Sequence, residues 1–75
     1  MDDLYKIISE VFEIDLNDIN DELGPNGIET WDSLGQLRLI SALEAHYKVT
    51  FEIAEIFEIF KIKDIVKLLK KRGLI

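Results

Sequence analysis

The chain contains no cysteine, so neither disulfides nor thiolate metal sites can brace its fold. Any thioester chemistry it takes part in needs a thiol that is not one of its own side chains. A single histidine, His46, is too little for a convincing zinc or transition-metal set. It lies thirteen residues beyond Ser33. On a helix that is roughly 20 Å, outside the reach of a nucleophile–base pair, so intrinsic catalysis is not expected. No uninterrupted apolar stretch approaches the ~20 residues that would span a bilayer. Bases are outnumbered, and a formal charge of −6 argues against nucleic acid as a partner, because phosphate contacts need clustered Lys and Arg. The first residues, Met1-Asp2-Asp3, are acidic where a secretory signal would be basic. A cytoplasmic monomer that does not insert in membranes is expected.

What is there fits one small domain, residues 1–75, near the lower size at which a core stabilises itself without staples. Hydrophobic residues make up 48% of the chain, enough for a compact helical bundle. Charge is unevenly spread. Residues 1–32 hold ten acids and one base, residues 33–60 four acids and two bases, and residues 61–75 one acid and six bases. A solvated surface whose ends complement helix dipoles accounts for this, and steering of partners is the further option.

Apolar spacing predicts four helices and no sheet. Leu4, Ile7, Ile8 and Val11 follow the i, i+3, i+4, i+7 pattern of one buried face, which Phe12 extends and Asp2 or Asp3 can cap. From Ile14 a long acidic loop runs with Leu16, Ile19, Leu23 and Ile28 as expected apolar pins, and Gly24-Pro25-Asn26-Gly27 as a turn. A connection this long implies function or a pinned loop. Asp18, Asn20, Glu22 and Glu29 match four positions of a calcium loop. However, Leu23 stands where a glycine is needed, and Pro25 follows, so calcium is not expected. A second helix from about Ser33 to Tyr47 places Leu39, Ile40, Leu43 and Tyr47 inward. Leu34, Leu37, Ser41, Glu44 and Ala45 fall on its other side. Leu34 and Leu37 either offer a partner an apolar patch or pack under the loop. Lys48-Val49-Thr50-Phe51 reads as a connector. Glu52 to Phe57 predicts a short third helix with Ile53, Ile56, Phe57 and Phe60 turned inward. Ile62, Ile65, Val66 and Leu69 form a fourth, ending in Lys70, Lys71, Arg72 and Gly73. Phe60 and Lys61 are poor caps for its start.

The chain is organised around Glu29-Thr30-Trp31-Asp32-Ser33-Leu34-Gly35-Gln36-Leu37. Here a serine hydroxyl stands where irregular backbone meets a helix, whose first turn has free N–H groups and the positive dipole end. An anion tethered at Ser33 would find donors and a favourable field there. Ser33-Leu34-Gly35-Gln36 also fits a capping box, and Asp32 could equally be the cap.

Asp-Ser-Leu at such a junction resembles the attachment site of acyl and peptidyl carrier proteins, and the order of helices resembles that family over nearly the whole chain. The resemblance implies an all-α four-helix bundle, with a long loop between the first two helices and a short third one. It implies that Ser33 bears a 4′-phosphopantetheine arm from coenzyme A, with Asp32 and Leu34 read by the phosphopantetheinyl transferase. The arm's thiol would carry acyl groups for fatty-acid or specialised polyketide or lipid biosynthesis, serving ketosynthase, acyltransferase or ligase partners. Leu39, Ile40, Leu43, Ile53, Ile62 and Ile65 match the positions that line the bundle and its acyl cavity. Leu34, Leu37, Arg38 and Glu44 fall on the side that partners contact. Fatty-acid carriers usually show acids after Asp-Ser-Leu, whereas Gly35 and Arg38 stand in two such places and only Glu44 matches. Trp31 is similar to stand-alone carriers of specialised pathways. A peptidyl or D-alanyl carrier, or an unmodified helical interaction module, are the alternatives.

Overall fold

In the computed structural model, which describes residues 2–75, four α-helices surround one core: α1 Asp2–Phe12, α2 Ser33–Tyr47, α3 Ile53–Phe57 and α4 Ile62–Lys71. A 3₁₀ turn, Leu16–Asp18, sits early in the long loop. No strand occurs among the described residues. The expected cap at Asp2 falls on a side chain outside the described residues, and Asp3 sits within α1.

Helical periodicity selects the core. Leu4, Ile8 and Phe12 of α1, Leu39, Ile40 and Leu43 of α2, and Ile62, Ile65, Val66 and Leu69 of α4 are buried together. Ile7, Val11 and Tyr47 pack half-buried around them, and α1 lies against α2. α4 ends as its cations and glycine predict. Gly73 N–H bonds the Lys70 carbonyl and Leu74 N–H reaches back to Leu69, a closure that satisfies two terminal carbonyls.

The loop is pinned rather than slack. Ile19 and Ile28 are buried and Leu23 is half-buried, but Leu16, expected as a fourth pin, is exposed. It sits in the 3₁₀ turn, where no buried face forms. The strongest tie is polar. Carbonyls of Leu23 and Asp21 accept the N–H groups of Ile62 and Lys63 at 2.8 and 2.9 Å, filling first-turn donors of α4 that its own backbone cannot satisfy. The Asp64 carboxylate takes the N–H groups of Phe60 and Lys61, so a poor cap residue is rescued three positions downstream. Two residues of the calcium-like pattern, Asn20 and Glu22, bond to the chain itself. Asn20 accepts from Glu22 N–H, and Glu22 pairs with Lys61 and Lys63. Gly24 lets the chain pass so close to Phe60 that a Cβ would collide with its carbonyl oxygen.

The third helix departs from expectation. Ile53 (70% exposed), Phe57 (73%) and Phe60 point outward, and Ile59 is buried in their place. The i, i+3, i+4, i+7 spacing of the expected four holds only on a continuous helix. Here the helix stops at Phe57, so Phe60 leaves its register. Ile56 turns to the core as expected, Ile59 joins it there, and Glu55 is drawn to α4 by Arg72.

Candidate functional site

Trp31 builds the corner from which α2 departs. Its N–H bonds the Ile28 carbonyl at 3.0 Å. Its buried ring stacks on Phe12 with centroids 5.1 Å apart, and Thr30 Oγ1 donates to the Phe12 carbonyl. The indole N–H, which needs a partner once buried, donates to Gln36 Oε1 at 2.6 Å. Gln36 Nε2 in turn donates to the Ile56 carbonyl of α3 at 3.2 Å. One amide thus joins the loop, α2 and α3.

Gly35 completes the corner. It is buried, and a Cβ there would run into the Thr30 carbonyl oxygen and come within 3.1 Å of Phe12 Cε1. No acid can occupy that position without displacing the corner, which accounts for one departure from the fatty-acid pattern.

Of the two capping readings, the structure selects Asp32. It is the N-cap, and its Oδ1 accepts from Gly35 N–H at 2.8 Å. Gln36 is committed to Trp31 and Ile56. Ser33 is therefore the first helical residue, exposed, and its hydroxyl has no hydrogen-bond partner among the described residues. A group esterified to it would lie at the positive end of the α2 dipole. His46 stands in the last turn of the same helix, 3.4 Å from Asp3.

The other sequence candidates divide. Leu34 (65% exposed) and Leu37 (59%) are open to solvent, so neither packs under the loop. Arg38 is exposed. Glu44 is half-buried and accepts from Phe51 N–H at 2.8 Å, so it secures the connector after α2 rather than standing free. Leu39, Ile40, Leu43, Ile62 and Ile65 are packed in the core, while Ile53, expected among them, is not. What opens beside Ser33 is a different space. A cleft of about 580 Å³ is lined by Pro25, Trp31, Asp32, Ser33, Gln36, Leu37, Ile56, Phe57 and Ile59. None of the six residues expected to line an acyl cavity borders it. The spacing of Trp31 and Gln36, a buried donor and an amide across one turn, was the available sequence signal for its floor.

Ser33 thus faces solvent at a helix start, an apolar cleft lies beside it, and His46 stands at the far end of the same helix. The phosphopantetheine attachment site family matches residues 2–69, and the chain belongs to that family. No curated protein sequence matches it. Among solved structures it is similar to the holo acyl carrier protein of Geobacter metallireducens, determined by solution NMR. The two share 36% identity with a TM-score of 0.83, over 93% of this chain and 80% of that one. The chain is accordingly a four-helix acyl carrier and not an enzyme, with covalently attached 4′-phosphopantetheine as its cofactor. Its partners are a phosphopantetheinyl transferase and biosynthetic enzymes. Among the described residues no helix is long and apolar enough to cross a membrane. The site suits the group: a released hydroxyl offers the ester oxygen, and the cleft offers apolar surface within the arm's neighbourhood.

Proposed function

We propose that Ser33 is the residue that carries the arm, and that the protein presents acyl groups to a dedicated set of biosynthetic enzymes. The observation that supports this is the exposed Ser33 hydroxyl, freed by the capping role of Asp32. Ser9 donates to the Ile14 carbonyl at the end of α1, and Ser41 lies inside α2; neither takes the arm. When bound, the arm supplies a thiol on which an acyl group is held as a thioester. The chain's own contribution is placement and recognition. Asp32 fixes the helix start, and with Leu34 forms the surface the transferase reads. Leu34, Leu37 and Arg38 face the enzymes that load and process the cargo. Tethering raises the effective concentration of the cargo at whichever active site the carrier meets.

The dedicated pathway is argued from charge. Arg38 is an exposed cation on the turn after Ser33, Gly35 excludes an acid for steric reasons, and Glu44 is held by Phe51. α2 therefore lacks the free acids that would attract a basic docking surface, and like charges across an interface are penalised. On this reading the carrier serves specialised rather than housekeeping lipid synthesis, and we place that service in the cytoplasm. The intact mass of protein purified from its native cell tests it, because arm and cargo are read together. A phosphopantetheinyl adduct bearing an acyl group is expected. An aminoacyl or alanyl adduct would move the assignment to the peptidyl or D-alanyl carriers.

A further inference from the structure

We infer that Gln36 is a specificity-determining positioning residue: it fixes the separation of α2 and α3, and so the size of acyl group that fits beside Ser33. This rests on the reading that Ser33 bears the arm.

α3 has five residues, too few for a helix to persist on its own. Its place is set by what grips it. Ile56 and Ile59 are held by the core, and Glu55 is clasped by Arg72 of the α4 terminus. On the side facing α2 the grip is the Gln36 amide. Its nitrogen donates to the Ile56 carbonyl while its oxygen accepts from the Trp31 indole. An amide side chain of this length offers an acceptor for one neighbour and a donor for the other. The Trp31 bond fixes the amide, and the amide fixes α3.

The three members of this bridge also line the cleft beside Ser33, with Leu37 on the α2 side and Phe57 on the α3 side. Polar side chains lie at its Ser33 end and at Gln36, and the walls are otherwise apolar. The occupant that chemistry and tethering favour is the acyl group on the arm, because Ser33 itself borders the cleft and a tethered group returns to it at high effective concentration. Exposed Leu37 and Phe57 gain a cover when it is apolar. A group too bulky for the spacing that Gln36 sets must separate α3 from α2 or remain in solvent.

The test loads wild type, Gln36→Met and Gln36→Glu with acetyl, hexanoyl or dodecanoyl arms from the matching coenzyme A thioesters, with loading verified by intact mass. Gln36→Met keeps the length and loses both bonds. Gln36→Glu keeps the acceptor for Trp31 and loses the donor to Ile56. Thioester lifetime in hydroxylamine, Trp31 emission and amide chemical shifts are then read, with melting curves confirming that each variant is folded. In wild type, the hexanoyl thioester should outlive the acetyl one by roughly tenfold, a modest return for added methylenes in an apolar site. The dodecanoyl thioester should gain no further. Shifts should centre on Trp31, Ile56 and Phe57, and Trp31 emission should change with hexanoyl. In the folded variants the limit on size should relax, so that dodecanoyl gains over hexanoyl while the acetyl lifetime stays as in wild type. If Gln36→Met fails to fold, Gln36→Glu carries the comparison. The inference is overturned if folded variants keep the wild-type size profile, or if shifts centre on Leu39, Leu43 and Ile65 instead. No mass gain under conditions that load a control carrier would overturn the carrier reading itself.

Discussion

Replacing Gly35 with alanine sets two effects of opposite sign against each other, and the structure decides between them. Gly35 lies in the first turn of a fifteen-residue helix. In an exposed position the change would stabilise by about 1 kcal/mol, because alanine loses less backbone freedom on folding. Here the new methyl meets the Thr30 carbonyl oxygen and the Phe12 ring. Neither neighbour is a free side-chain tip. Thr30 is held to Phe12 through its hydroxyl, and Phe12 is stacked on Trp31. Overpacking of a well-packed site costs ~1–3 kcal/mol. Displacing α2 also strains the bond from Gly35 N–H to Asp32 Oδ1, and loss of such a cap costs about 1 kcal/mol more. The net expectation is destabilisation of ~1–3 kcal/mol. Urea denaturation followed by far-UV circular dichroism measures it, with the midpoint falling at unchanged slope. A midpoint equal to or above wild type would refute the close approach, and with it the steric explanation for the missing acid.

Leu43→Ala removes a fully buried side chain and should cost ~2–5 kcal/mol, enough to unfold a marginal domain, while exposed Leu34→Ala should cost about 0.5 kcal/mol or less. Equal losses in melting temperature would contradict the two faces of α2. Glu55 is held below the usual carboxylate range by its bond to Arg72, helped by the Glu52 N–H. A depressed carboxyl contributes stability above its unfolded value and loses it as pH falls through the folded one. Acidification below the ordinary carboxylate range should therefore loosen α3, seen as faster amide exchange at Ile56 and Phe57, and Glu55→Gln should flatten that dependence. Arg38→Glu should raise turnover by a fatty-acid ketosynthase through association rate, with the gain fading as salt is raised; a gain that ignores salt would leave Arg38 without a steering role.

The sequence and structure agree where burial follows a long period. Leu4, Ile8 and Phe12, and Leu39, Ile40 and Leu43, were legible because α1 and α2 run through three or more turns and their spacing admits one inward face. Ile53, Phe57 and Phe60 were misread because α3 is too short to impose its own register, and its orientation depends on Arg72 and Gln36 from elsewhere in the chain. The attachment corner was legible in its motif but not in its wiring. Asp32 and Ser33 are both good caps locally, and only the three-dimensional engagement of Gln36 by Trp31 and Ile56 separates their roles. Pinning of the loop by the first N–H groups of α4 uses backbone carbonyls, which no residue identity reveals.

The most direct test of the central claim is an intact-mass measurement on the purified protein incubated with coenzyme A and a broad-specificity phosphopantetheinyl transferase. One phosphopantetheinyl mass should be added to wild type and none to Ser33→Ala, with the Ser33→Ala protein melting like wild type because Asp32 provides the cap. An unmodified wild type, under conditions that convert a control carrier, or a modified Ser33→Ala, would contradict the assignment.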